Sequence, residues 1–194
     1  MDKITSFFNY ISSEFYKYFL KKKYKAVINK GVFFNGLPNV YIKKGCSLII
    51  GENVIINSNN KKYHINMHSK SKILLDRKGA SIKIGANSRI HGTCIHAYSK
   101  IEIGKRCLIA ANTHIFDGNG HDLSMDNPSN RVNTVGVSKP ILINDHVWIG
   151  ANVIIMPGVT IGSGSVISAN SVVKSNIPTR CLASGNPAVV LKKY

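Results

Sequence analysis

The chain is short of acid. Nine Asp and Glu stand against 26 Lys and Arg in 194 residues, a formal net charge of +17 with histidine neutral. A partner held mainly by charge is therefore an anion: nucleic acid, anionic lipid or a phosphorylated small molecule. Cysteine is sparse as well. Cys46, Cys94, Cys107 and Cys181 lie far apart with no C-x-x-C pair, which excludes a disulfide-dense secreted frame and reads as reduced, mostly buried thiols in a cytoplasmic protein. Long apolar runs are missing. No stretch approaches the roughly 18 apolar residues of a membrane span, and Asn9, Ser12, Ser13 and Glu14 interrupt the N-terminal aromatics before a secretory signal could form. With 44% hydrophobic residues the chain can bury a core, and it reads as one principal domain, 31–192, behind an N-terminal extension, 1–30.

What the chain has in quantity is a count of six. Ile143, Ile149, Ile155, Ile161, Ile167 and Val173 fall at that step, and shorter runs upstream keep it: Ile50 and Ile56, Ile84 and Ile90, Ile103, Ile109 and Ile115. A spacing of six is neither the 3.6 of a helix nor the 2 of a strand. It suits a short strand followed by a corner, three of which close a triangular coil, so that residues about eighteen apart stack. Ile143 should lie over Ile161 and Ile149 over Ile167. Gly150, Gly162, Asn152 and Asn170 are expected at corners that need unusual dihedrals.

The count fails between Ile115 and Ile143. The segment from Asp117 to about 140 is rich in Gly, Asn, Asp and Ser and reads as a long loop on a rigid scaffold, the place where function concentrates. It carries His121, inside "DGNGHD". A histidine titrating near neutrality can take the proton of a hydroxyl as that hydroxyl attacks an acyl group. Asp117 is a candidate to orient the imidazole, Arg131 to bind the acceptor. His114 belongs to the coil and either reaches the cleft or packs; His146 is in the same position.

The segment "VWIGANVIIMPGVTIGSGSVISANSVV", the "IP" that follows and the closing "GNPA" resemble the hexapeptide-repeat acyltransferases, most of all the maltose, galactoside and capsular-polysaccharide O-acetyltransferases, over about residues 80 to 192. The resemblance implies a left-handed parallel β-helix assembled as a homotrimer, with acetyl-CoA as donor in a cleft between subunits and no resident metal. It implies a base role for His121. It places Trp148 in the acceptor or pantetheine channel, where packing at an interface is the alternative, and carries CoA contact onto Ala151, Ala169, Lys174, Ser175 and Lys192. The chain departs from the usual pattern at Ser168 to Ser171 and at Lys174 with Ser175, which bears on the phosphate contacts. The expected activity is O-acetylation of a sugar hydroxyl in surface polysaccharide biosynthesis; N-acetylation of an amino sugar or sugar nucleotide is the alternative.

Two rivals share parts of this pattern. A γ-type carbonic anhydrase would use histidine-held zinc, and His91 and His96 are suggestively spaced, but two ligands do not make a site. A nucleic-acid binder would cluster its basic residues with stacking aromatics on one face. Here the densest run is "KKKYK" at 21 to 25 and the rest are scattered, so no nucleic-acid partner is expected. The N-terminal extension should be an amphipathic helix: Ile4, Phe7, Phe8, Ile11, Phe15, Tyr18 and Phe19 recur at helical steps, with Lys21, Lys22 and Lys23 at its end. It is expected either to pack on the assembly or to rest on the inner face of a membrane.

Overall fold

Residues 3–194 are described by the computed structural model, with side chains in the N-terminal helix described from Phe7 onward. The side chain of Ile4 therefore lies outside the described residues. The pairing register accounts for the count of six. Ile143 sits beside Ile161, Ile149 beside Ile167 and Ile155 beside Val173, each pair in parallel strands of successive coils. Up to Val172–Val173, each strand of the coil pairs with the strand three before it or three after it in the chain, which makes a parallel β-helix with three sides.

The first sheet stacks Val27–Ile28, Ser47–Ile50, Ser81–Ile84, Lys100–Ile103, Ile141–Ile143 and Thr160–Ile161. The second starts at Phe33–Asn35 and runs through Ile55–Asn57, Arg89–His91, Leu108–Ile109, Trp148–Ile149 and Val166–Ile167. It ends in an antiparallel hairpin of Cys181–Gly185 and Ala188–Lys193. The third stacks Asn39–Ile42, Lys72–Leu75, Cys94–Ala97, His114–Phe116, Ile154–Ile155 and Val172–Val173. The sixth-position residues from Ile143 to Val173 all point inward and are fully buried. Each such aliphatic contributes about 1.5–3 kcal/mol of burial, and a polar residue at the step would forfeit it.

The corners use two devices, and sequence reasoning merged them. Asn152 and Asn170 take left-handed backbone, with φ of 56° and 60°. Gly150 and Gly162 do not. Their glycine is required by close approach: a Cβ on Gly150 would stand 2.6 Å from the Ala169 nitrogen, and one on Gly162 2.4 Å from the Thr179 nitrogen. Bare backbone lets adjacent coils touch.

A helix, α1 (Lys3–Tyr24), closes the start of the coil. Leu20 is buried in the core, and Ser13 Oγ accepts from the Phe34 N–H of an edge strand at 3.0 Å. Tyr16 donates its hydroxyl to the Pro38 carbonyl; burial first and Tyr24 second push that phenol up to about 12. The coil starts at Val27, ahead of the boundary at 31 expected from sequence, because the helix docks directly on its first strands. Two long segments leave the coil: one between Asn57 and Lys72, the other between Phe116 and Ile141.

Candidate active site

The second sheet and the corner after it form a groove of about 680 Å³. Its floor is Leu108–Ala110, Trp148, Gly150, Ala151 and Val166 to Ala169 from three successive coils, and its walls include Arg89 and His91. The bare backbone at Gly150 keeps the floor smooth, and Trp148, 54% exposed, stands along it. The roof is the first of the two excursions, through Tyr63, His64 and Ile65. That excursion is tied down at many points. Met67 is buried, Asn112 Oδ1 accepts from the His68 N–H, Asn112 Nδ2 donates to the Asn66 carbonyl, and Ser71 donates its hydroxyl to the Asn57 carbonyl.

Inside the groove Tyr63 stacks on His91, ring centroids 4.7 Å apart. Asn57 has its Oδ1 occupied by the Asn35 amide and the Asn59 N–H, so its Nδ2 donates to His91 Nδ1 at 3.3 Å. The proton of His91 accordingly sits on Nε2. Burial first, then Arg89 and His64, hold the pKa of His91 down, to about 4, so the ring is neutral near pH 7. Burial also raises the thiols of Cys94 and Cys107, which keeps them out of the thiolate form a nucleophile needs.

The second excursion leaves from the end of a third-sheet strand. Its stem is fixed: Gly118 bridges Ser138, and Arg77 donates to the carbonyls of Gly136 at 2.7 Å and Asn119 at 3.1 Å while its guanidinium lies 3.8 Å over the Tyr98 ring. His96 packs on Tyr98 and stands 3.1 Å from Asp76, near enough for an ion pair yet poorly aligned for a hydrogen bond. Beyond the stem a 3₁₀ turn, Pro128–Asn133, and an exposed apolar set, Leu123, Met125, Val132, Val135 and Val137, face outward. His121 lies on this loop with an exposed side chain.

Known proteins match this arrangement. A family model for bacterial transferase hexapeptides (six repeats) covers residues 140–175. Polysialic acid O-acetyltransferase of Escherichia coli O1:K1 is 34% identical over 135 residues, 67% of this chain but 43% of that protein. The match therefore spans less than half of that relative's length. WbbJ of Escherichia coli K12, assigned provisionally to O-acetyl transfer in lipopolysaccharide biosynthesis, is 30% identical over 161 residues, 78% of this chain and 81% of WbbJ. The chain belongs to the hexapeptide-repeat transferases. A solved hexapeptide-repeat acetyltransferase, VCA0836 of Vibrio cholerae complexed with acetyl coenzyme A, superposes with a TM-score of 0.58 at 25% identity, over 98% of this chain and 83% of that one. The coil of this hexapeptide-repeat transferase is a left-handed β-helix.

Of the residues singled out from sequence, Trp148, Ala151 and Ala169 line the groove of the transferase. Lys174, Ser175 and Lys192 are exposed and do not line it; Lys192 instead lies over Tyr194. His114 is on the outer face of the third sheet between Cys94 and Ile154, away from the groove lining. Arg131 donates from Nε to the Leu123 carbonyl and so braces the loop. Asp117 requires a correction. Its carboxylate is fully buried and accepts from the N–H groups of Tyr98, Ser99 and Lys100 and from the Ser99 hydroxyl. It anchors the loop stem to the coil below and has no oxygen free to orient His121. His91 and His96 stand on different sheets and do not converge within the chain. Sequence reasoning passed over Tyr63, Arg77, Arg89 and Tyr98. The register lapses between Asn57 and Ser71, but the coils around it step unevenly and the lapse gives little signal for the first; the others answer to contacts far apart in the chain.

Proposed function

We propose that this transferase moves an acetyl group from acetyl-CoA to a hydroxyl of a surface polysaccharide or its precursor, with His121 as general base. The observation that carries the reading is the pairing of a backbone-floored groove with a rigidly stemmed loop that holds an exposed imidazole. The groove, lined by Gly150, Ala151, Ser168 and Ala169, suits the slender amide arm of CoA, whose thioester would rest near Trp148. His121 removes the hydroxyl proton as the oxygen bonds to the thioester carbonyl carbon, forming a tetrahedral oxyanion. That intermediate collapses with cleavage of the C–S bond, and the imidazolium returns the proton to the CoA sulfur. No acyl-enzyme forms, in keeping with the raised Cys94 and Cys107 thiols.

The loop leaves the corner between the third and first sheets, whereas the groove runs along the second, and His121 is not among the groove's lining residues. A site uniting them draws the loop from one copy and the groove from the next. The loop's apolar residues and the exposed Leu108 and Trp148 of the groove are complementary surfaces for that contact, and three side-by-side copies satisfy every loop and groove in a closed ring. The activities for which two relatives are named support the acceptor class: polysialic acid for one, galactoside for the other.

The test is His121→Ala in an assay of thiol release with sugar acceptors. Turnover is expected to fall by about two to four orders of magnitude with CoA affinity unchanged. Retention of more than roughly a tenth of the activity would remove the base assignment.

A further inference from the structure

The helix α1 docks by the face that sequence patterning did not single out. Ser13, Tyr16, Leu20 and Tyr24 meet the coil. On the opposite side Phe7, Phe8, Ile11, Phe15, Tyr18 and Phe19 remain exposed, Phe15 by 74%, and Leu37 extends their surface. Because the helix lies over the edge strands that begin all three sheets, this aromatic face points outward along the axis of the coil. Copies packed side by side cannot cover it.

Its charge says what does. Glu14 is the only carboxylate in the helix, and its oxygen is taken by Lys17. Lys21, Lys22 and Lys23 close the last turn, Lys22 over the Tyr18 ring and Lys23 over Phe19 and Tyr24. Lys25 and Lys30 follow, both exposed. Aromatic side chains rimmed by lysines fit the boundary between acyl chains and anionic headgroups, where rings enter the interface and ammonium groups meet phosphate. No helix among the described residues is long and apolar enough to cross a membrane, so the contact is peripheral.

We propose that the outer face of α1 is a docking surface for an anionic lipid bilayer. In the trimer argued above, three such faces share one plane, and a glycan acceptor tethered to the same bilayer would be held beside the coil. The docking surface itself needs only the single chain.

Full-length protein is to be sedimented with phosphatidylcholine vesicles, with and without about a third phosphatidylglycerol. Binding to the anionic vesicles should exceed binding to the neutral ones by at least about ten-fold and fall as sharply between low and high salt. Phe8→Ser with Phe15→Ser, and separately Lys21→Glu with Lys22→Glu and Lys23→Glu, should each reduce anionic-vesicle binding at least about ten-fold. Thermal midpoint, solution mass and thiol release should stay at the wild-type level in both. Equal binding to both vesicle types, or none, overturns the proposal. So does a loss of solution mass in the aromatic variant, which would show that a second copy covers the face. Vesicle binding is read apart from activity, so failure of the acetyl-transfer assignment leaves this result intact and the reverse holds equally.

Discussion

The two segments that leave the coil differ in where their apolar side chains go. The one between Asn57 and Lys72 turns back on its own chain: Met67 is buried, and Asn57, Ser58, Ser71 and Asn112 hold its backbone. The one between Phe116 and Ile141 is fastened only at its stem and carries Leu123, Met125, Val132, Val135 and Val137 outward. A loop satisfied by its own chain shapes a wall. A loop with exposed hydrophobic residues and a fixed base is built to meet another surface, and the base sets the angle of that meeting.

The comparison breaks most violently at Asp117. Replacing it with Ala strands three N–H groups of Tyr98, Ser99 and Lys100 beneath the loop, which should cost about 3–5 kcal/mol and lower the thermal midpoint by roughly 10 °C. A loss below about 1 kcal/mol would mean the stem is held by something else. Arg77→Ala should separate position from stability. Loss of the clamp on Gly136 and Asn119 should reduce kcat by about ten- to a hundred-fold with a misplaced His121, while unfolding shifts by no more than about 2 kcal/mol. Arg77→Lys should recover only part, since a flexible ammonium lacks the rigid planar fork that spans both carbonyls and lies flat on the Tyr98 ring.

Smaller effects belong to the groove wall. Tyr63→Ala removes the roof and the stack on His91, worth about 0.5–1.5 kcal/mol; KM should rise by roughly five- to ten-fold with kcat nearly constant. An equal fall in kcat would place Tyr63 on the reacting atoms instead. The same wall carries a pH effect. His91 has a folded pKa lowered to about 4 from the ordinary 6.5, so below pH 6.5 the unfolded chain binds a proton that the folded chain refuses. Its contribution is fully present above about pH 6.5, is lost as pH falls through the window toward 4, and changes no further below that. His91→Gln should flatten the pH dependence of stability in that window, measured by denaturant titration.

How much of this was legible depended on how local each cause is. The inward aliphatics from Ile143 to Val173 announce themselves because each coil there spends the same number of residues. Earlier coils do not: the buried positions Phe34, Ile42, Ile50 and Ile56 step by eight, eight and six, and Ile73 follows seventeen later. Against that uneven count the first excursion does not stand out, and the groove's roof goes unseen. Asp117, an acid four residues from a histidine, reads as its partner. Its carboxylate instead turns to the coil below, to residues that lie 17 to 19 positions back in the chain. Arg77 and Gly136 are 59 residues apart, and only the fold brings them together. The amphipathic pattern of α1 identified the helix and its apolar face but not the side that meets the coil, because Ser13 and Tyr16 dock through hydrogen bonds that hydropathy does not weigh.

The hairpin at the end of the second sheet has a consequence for life in a crowded cell. A stack of parallel strands presents unsatisfied backbone at its last edge and can template the addition of further strands, which is how fibres grow. Here the final strand, Ala188–Lys193, reverses direction against Cys181–Gly185 and places Lys192 and Lys193 on the outermost edge. A newcomer would meet an antiparallel rim lined with positive charge. The repeat by itself has no natural length; on this side of the coil the hairpin acts as a terminator that keeps neighbouring molecules from continuing the count.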